Sequence, residues 1–225
     1  MYKKKSLFVT FEGIEGSGKS YQIRRLYKNL ERKNIPSILT REPGGTKGAE
    51  IIRNLILKDY FYHNPKERFG KYTDTLLYLA ARNEHIIKKI RPAILKKKII
   101  LCDRFTDSTL AYQVYGKGVD KNFVDFMHKY ILGTTKPDLT FVLRVSINKA
   151  LQRLNKRKSK NRYDKFSKNF YIKAQNAFLN IAKKNSKKYI IVENSKDSKE
   201  TEKIILNKFM KVLRKWALKI KTIIF

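Results

Sequence analysis

The chain has 225 residues, 42 % of them apolar, which suits a single α/β domain with a substantial core. It holds no run of eighteen apolar residues and no charged–apolar–small leader, so a membrane span is excluded and a soluble cytoplasmic protein is expected. Its one cysteine, Cys102, excludes a disulfide framework and reads as a small buried strand residue in a reducing compartment. His63, His85 and His128 stand singly, without metal-site spacing. Lys and Arg number 52 against 19 Asp and Glu, a net charge of +33 that predicts salt-sensitive, non-specific attraction to polyanions. The bases are mostly lysine and spread through nearly every segment. Composition therefore leaves open both a nucleic-acid partner and a general compositional drift.

In chain order, the apolar run Leu7–Phe11 reads as a buried strand and leads into FEGIEGSGKS. Gly13, Ile14, Glu15, Gly16, Ser17, Gly18, Lys19 and Ser20 satisfy G-x-x-x-x-G-K-[ST], and helical spacing over 19–32 follows. Strand, loop and helix in this order form a phosphate cradle. The glycines let backbone N–H groups converge on a phosphate, and the helix N-terminus adds its dipole. Lys19 reaches between β- and γ-phosphates and Ser20 offers a hydroxyl to Mg²⁺, so ATP and Mg²⁺ are the implied cofactors. The loop spends its other charged position on an acid, Glu15. The remaining positive charge for phosphoryl transfer must come from elsewhere, and the acid needs a purpose.

A second strand, Ser37–Leu39, runs into Thr40-Arg41-Glu42-Pro43-Gly44-Gly45-Thr46, followed by a helix over 47–58 that carries Arg53. A helix over 72–91 places Tyr78 and Arg82 four residues apart, on one face. The strand Ile99–Cys102 ends at Asp103 and Arg104, and a helix over 105–115 carries Ser108, Tyr112 and Gln113. Helical spacing over 121–132, the strand Leu139–Leu143, helices over 147–156 and 167–184, the strand Tyr189–Val192 and a helix over 199–218 complete the chain. Alternating strands and helices predict a parallel sheet covered on both faces, with ligands at the carboxyl ends of the strands. No repeat or long linker intervenes, so residues 1–225 read as one domain. NKRKSKNRYD, around Lys156–Lys160, is the expected mobile segment. The basic amphipathic stretch over about 199–225 reads as a packed terminal helix with a loose end.

Taken together, FEGIEGSGKS, TREPGGT, LLYLAARNEH, CDRFTDSTLAYQ and KPDLTFVL resemble the bacterial thymidylate kinases, in order and at their spacing, from about residue 5 to about residue 205. The resemblance implies the P-loop NTPase three-layer fold, a five-stranded parallel sheet flanked by helices, with a short mobile lid at about 153–164. It implies transfer of the γ-phosphoryl group of MgATP to dTMP, yielding dTDP, by a homodimer. On this resemblance Arg53 and Arg104 grip the dTMP phosphate, with Arg41 assisting and Ser108 beside them. Tyr78 stacks on thymine, Arg82 meets the O4 edge, and Gln113 meets the polar edge of the pyrimidine. Tyr112 lies beneath the sugar and crowds a 2′-hydroxyl, and Glu15 accepts from the 3′-hydroxyl. Asp103 orients Arg104 or waters on the metal, and is grouped with Ser20 as a metal residue.

Gly16 stands where another group of these kinases carries its catalytic arginine, so on this resemblance the lid is expected to supply it; Arg153, Arg157 and Arg162 align with catalytic lid or lid-hinge arginines, with Arg157 and Arg162 the candidates for the transferring phosphate. Two departures stand out. Arg144 replaces the acid that usually ends the strand after PDLT, and Asn161-Arg162-Tyr163-Asp164 replaces Asp-Arg-hydrophobic-Glu. The resemblance places the adenine contacts on Glu193-Asn194-Ser195-Lys196, after the last strand. The alternatives are a kinase for another monophosphate or a deoxynucleoside, and a basic ATPase acting on nucleic acid.

Overall fold

In the computed structural model, which describes residues 6–157, 161–194 and 198–221, five short strands form one parallel sheet in the order β2-β3-β1-β4-β5. They are β1 (Phe8–Glu12), β2 (Ser37–Arg41), β3 (Ile99–Asp103), β4 (Leu139–Arg144) and β5 (Tyr189–Glu193). Among the described residues nine α-helices connect or flank them. These are α1 (Lys19–Arg32), α2 (Lys47–Leu57), α3 (Lys71–His85), α4 (Arg91–Leu95), α5 (Thr106–Thr109), α6 (Lys121–Leu132), α7 (Ile147–Asn155), α8 (Lys168–Lys184) and α9 (Ser198–Lys221). The central strands β1, β3 and β4 are buried along almost their whole length because the sheet is covered on both faces, and Thr10 and Thr140, polar residues inside them, hydrogen-bond each other at 2.8 Å. Leu7, Val9 and Phe11 point to α1 and α9, where they meet Ile23, Leu26, Leu30, Ile205 and Phe209. Phe8 points the other way, with Ile100 and Cys102, onto Ile86, Ile90 and Phe105. Val142 joins a further cluster built on Tyr112, Tyr171 and Phe178. Each large side chain buried in this way stabilises the fold by roughly 1.5–3 kcal/mol.

Two of the expected helices are not plain α-helix. The stretch expected to be helical over 72–91 is α3, then a wider π-type turn over Ile86–Ile90, then α4. Pro92 explains the break: it has no N–H for the carbonyl of Lys88, and its ring crowds that carbonyl. The helix expected over 105–115 is α5 followed by a π-type segment, Leu110–Gly116, that carries buried Ala111, Tyr112 and Gln113. Side-chain caps start α2 (Thr46), α6 (Asp120), α7 (Ser146) and α8 (Ser167).

Cys102 is buried and free. Among the described residues no helix is long and apolar enough to cross a membrane. Residues 158–160 of the expected mobile segment, Ser195 and Lys196 of the expected adenine loop, and 222–225 of the tail lie outside the described residues.

Candidate active site

The carboxyl ends of β1, β3 and β2 come together, as the parallel topology requires. The end of β1 becomes the phosphate loop. Gly16 has φ 73°, and a Cβ there would lie 2.5 Å from the carbonyl oxygen of Ala150, so only glycine fits. No side chain caps α1 at Gly18, which leaves its first N–H groups facing the loop. Lys19 curls back to donate to the carbonyl of Ile14 at 2.9 Å. Burial, with the charge of Arg104 adding to it, pushes the Lys19 ammonium down to about 8.

The end of β3 supplies the next two charges. Asp103 Oδ2 accepts from Ser20 Oγ at 2.5 Å, while among the described residues its buried Oδ1 has no partner. Arg104 has φ 71°, a left-handed conformation uncommon outside glycine, and this turns its side chain over the phosphate loop. Its guanidinium donates to Gly13 O at 2.9 Å, Ser108 Oγ at 3.1 Å and Glu15 Oε1 at 2.7 Å. Burial opposes that charge, but Glu15, Tyr112 and Asp103 outweigh it and hold the guanidinium above its ordinary value. Glu15 Oε2 accepts from Tyr112 OH at 2.6 Å. The acid in the loop therefore fixes Arg104 and Tyr112 together. Asp103 holds Ser20 and makes no hydrogen bond to Arg104. Beneath this layer, buried Glu12 accepts from Phe105 N and Ser108 Oγ, both at 2.7 Å, and burial beside Asp107 raises its carboxyl well above the usual range.

These groups open into a cavity of about 180 Å³. Glu15, Lys19, Ser20, Arg41, Arg53, Tyr78, Arg82, Asp103, Arg104, Ser108, Tyr112, Gln113 and Arg157 all line it. Arg53 is steadied by the carbonyl of Pro43 at 2.7 Å, and Arg41 by Glu50 at 3.0 Å on the rim. At the far end Arg82 is only 2 % exposed. It donates to Glu42 at 2.7 Å, Thr109 at 2.8 Å, His128 Nε2 at 2.7 Å and the carbonyl of Phe105 at 2.9 Å. Burial, then the charge of Arg82, pushes the His128 imidazole down to about 3, so it is neutral and accepts. Four of the five guanidinium N–H groups are thus spoken for, and a single one on Nη2 remains for the cavity.

The lid arginines separate. Arg157 lines the cavity, 43 % exposed, and pairs with Asp164 at 2.9 Å. Arg153 sits beside the phosphate loop, donating to Gly16 O at 3.1 Å and Asn194 O at 3.0 Å, while Asn194 donates to Ser17 O at 2.6 Å. Arg162 does not line the cavity. It pairs with Asp74, fully buried in the first turn of α3, which also holds Lys117 at 2.5 Å. The altered lid motif closes on itself: Asn161 caps Tyr163 N at 2.8 Å and Asp164 accepts from Asn161 N at 3.0 Å. Arg144 is exposed, pairs with Glu193 at 3.5 Å and stands outside the cavity.

A family model described as "Thymidylate kinase" matches residues 11–205. A thymidylate kinase of Ehrlichia chaffeensis is 37 % identical over 202 residues, 88 % of this chain and 93 % of its own length. One from Afipia carboxidovorans is 40 % identical over 194 residues, 85 % of this chain and 83 % of its own. The crystal structure of the Ehrlichia chaffeensis thymidylate kinase superposes with a TM-score of 0.71 at 33 % identity, covering 92 % of this chain and 98 % of that one.

The chain belongs to the thymidylate kinase family.

Within this thymidylate kinase family member, several residues around the cavity carried no sequence signal of their own. His128 lies on α6, 46 residues from Arg82, and a lone histidine in an amphipathic helix offers nothing to read. Asp74 and Lys117 meet the lid only through tertiary packing. Glu42 and Thr109 stood inside recognised segments, where position beside Arg41 and Ser108 could have suggested them. In the sequence Tyr163 stands out only as part of the altered lid motif, yet it is buried against Tyr78, Tyr112 and Gln113.

Proposed function

We propose that this chain transfers the γ-phosphoryl group of ATP to the 5′-phosphate of dTMP, producing dTDP and ADP. The observation that carries the reading is that one cavity joins the phosphate loop, through Lys19 and Ser20, to Arg53 and Arg104 and to a base end formed by Arg82 and Gln113. Arginine forks suit two oxygens of one phosphate, so Arg53 and Arg104 hold the acceptor and Arg41 assists from the rim. Lys19 steadies the β- and γ-phosphates. Ser20 and the partnerless Oδ1 of Asp103 are oxygen donors that suit Mg²⁺, which takes one or two protein oxygens alongside substrate phosphates and would neutralise phosphate charge there. The acceptor phosphate, with a second pKa of about 6, is already an anion near neutrality, so no strong general base is needed. Positioning and charge neutralisation then carry the reaction.

Arg157 is the arginine we assign to the transferring phosphoryl group, reached by closing of the lid over about 153–164, which also excludes water. Arg153 holds the phosphate loop to the end of β5 near the adenine side, and Arg162 anchors the lid to Asp74. Glu15 fixes Arg104 and keeps lone pairs for the 3′-hydroxyl. Tyr112 crowds a 2′-hydroxyl, Tyr78 stacks on the base, and Arg82 offers its remaining N–H to O4. Steady-state ADP release with MgATP should rank dTMP first, with dUMP lower by only about 10-fold because one methyl group separates them. The ribose analogue of dTMP should fall below dTMP. Equal rates with dTMP, dCMP and dGMP would contradict the reading.

The described elements are read as one kinase domain over 1–225 acting in the cytoplasm. A homodimer is supported by exposed apolar side chains on three helices packed side by side: Ile51 (72 % exposed) and Leu55 on α2, Leu76 on α3, Phe126 and Tyr130 (72 %) on α6. Ile51→Glu combined with Phe126→Glu should convert a dimer to a monomer in light scattering after gel filtration. An unchanged mass would contradict this face. The +33 charge is read as salt-dependent retention on polyanions without stimulation of ATP hydrolysis.

A further inference from the structure

Besides the hydroxyl of Tyr78, the hydroxyl of Tyr163 meets three hydrogen-bonding groups. It lies 3.3 Å from Asp74 Oδ2, 3.3 Å from Lys117 Nζ and 3.0 Å from Gln113 Nε2. A phenol has one proton to give and two lone pairs to offer. Asp74, clasped by Lys117 and Arg162, can only accept, so the proton goes to it. Lys117 can only donate and takes one lone pair. The other lone pair accepts from Gln113 Nε2, which at 3.0 Å is nearer than Asp74 or Lys117. Burial raises the phenol well above its ordinary range, so the proton stays on Tyr163.

A glutamine amide can ordinarily turn over, because its oxygen and nitrogen ends are alike in size. Here that freedom is removed. Gln113 is 1 % exposed and lines the cavity, and among the described residues its Oε1 meets no donor and is not sealed from the cavity. We propose that Tyr163 is a positioning residue for base selection: by accepting from Gln113 Nε2 it turns Gln113 Oε1 toward the acceptor's base, where it takes a hydrogen bond from a ring N–H. This rests on reading the cavity as the acceptor site. A keto pyrimidine with a protonated N3 satisfies that oxygen. Cytosine, bare at N3, meets it lone pair to lone pair. The one N–H that Arg82 has left asks for a carbonyl on the neighbouring edge, which selects the same class of base.

The test compares Tyr163→Phe with wild type, using dTMP as substrate and dCMP both as substrate and as competitive inhibitor. The variant keeps the ring and its packing but frees the amide to turn. Discrimination between dTMP and dCMP is expected to fall about 10-fold, through tighter dCMP binding and a raised KM for dTMP, with kcat for dTMP kept within about twofold. A merely structural role would weaken both acceptors alike, and that result overturns the proposal. Gln113→Ala separates the two layers of argument. If it raises the KM for dTMP while Tyr163→Phe leaves discrimination unchanged, Gln113 reads the base but Tyr163 does not preset it. If Gln113→Ala leaves that KM unchanged, the acceptor reading of this end fails and the proposal with it. Should Tyr163→Phe not fold, Asp74→Asn carries the same expectation, since an amide there can donate to Tyr163 and release the relay. Unchanged discrimination in that variant also overturns it.

Discussion

Arg104→Met should lower kcat/KM for dTMP by about 10³-fold, roughly 4 kcal/mol of transition-state stabilisation. The guanidinium binds the loop carbonyl of Gly13, Ser108 and Glu15 in the cavity wall, so it is held in place before any substrate arrives. Removing it takes away a cation next to the acceptor phosphate and also strips Glu15 of its ion-pair partner at 2.7 Å. Losing that charge-assisted contact costs about 1–3 kcal/mol of stability, so a lower melting temperature should accompany the kinetic loss. Arg104→Lys should recover little activity, because a point charge cannot reproduce three contacts made in fixed directions. Steady-state kinetics against dTMP checks this, and a loss below tenfold would remove Arg104 from the acceptor site.

Lys19→Met should reduce kcat by about 10²–10³-fold, the usual cost of removing one preorganised donor from a developing charge. The wild-type pH profile tests the same residue without a mutation. Burial favours the neutral amine, so Lys19 is charged below about 8 and loses its charge as pH rises through that value. Binding ATP needs the charged form, so kcat/KM for ATP should bend downward above about pH 8, since this parameter reports the free enzyme. In Lys19→Arg, where the charge persists, the residual activity should lack that bend. A wild-type profile that rises through the same range would contradict the assignment.

Much of the architecture was legible because buried parallel strands are unmistakable apolar runs. All five were found, with ends displaced by one or two residues, and the phosphate loop announced itself between strand and helix. The π-type segments were not legible. A proline at position 92 signals a broken ladder but not whether the helix ends or widens, and no residue marks the widening after Thr109. The acceptor cavity's own arginines lie inside recognisable segments and were readable one by one. What holds them was not. Asp74 meets Arg162 across 88 positions, and His128 meets Arg82 across 46, so these pairings exist only after the helices pack. The altered lid motif looked like lost acidity, whereas Asn161 and Asp164 form a reciprocal cap that a local reading of charge could not anticipate.

The γ-phosphoryl group should pass to the phosphate of dTMP and to no other acceptor in the cavity, water included. Phosphorus NMR of the protein with MgATP and dTMP measures this directly. One dTDP is expected for each ADP formed, with inorganic phosphate at background. ADP accumulating with inorganic phosphate, at a rate indifferent to dTMP, would contradict it.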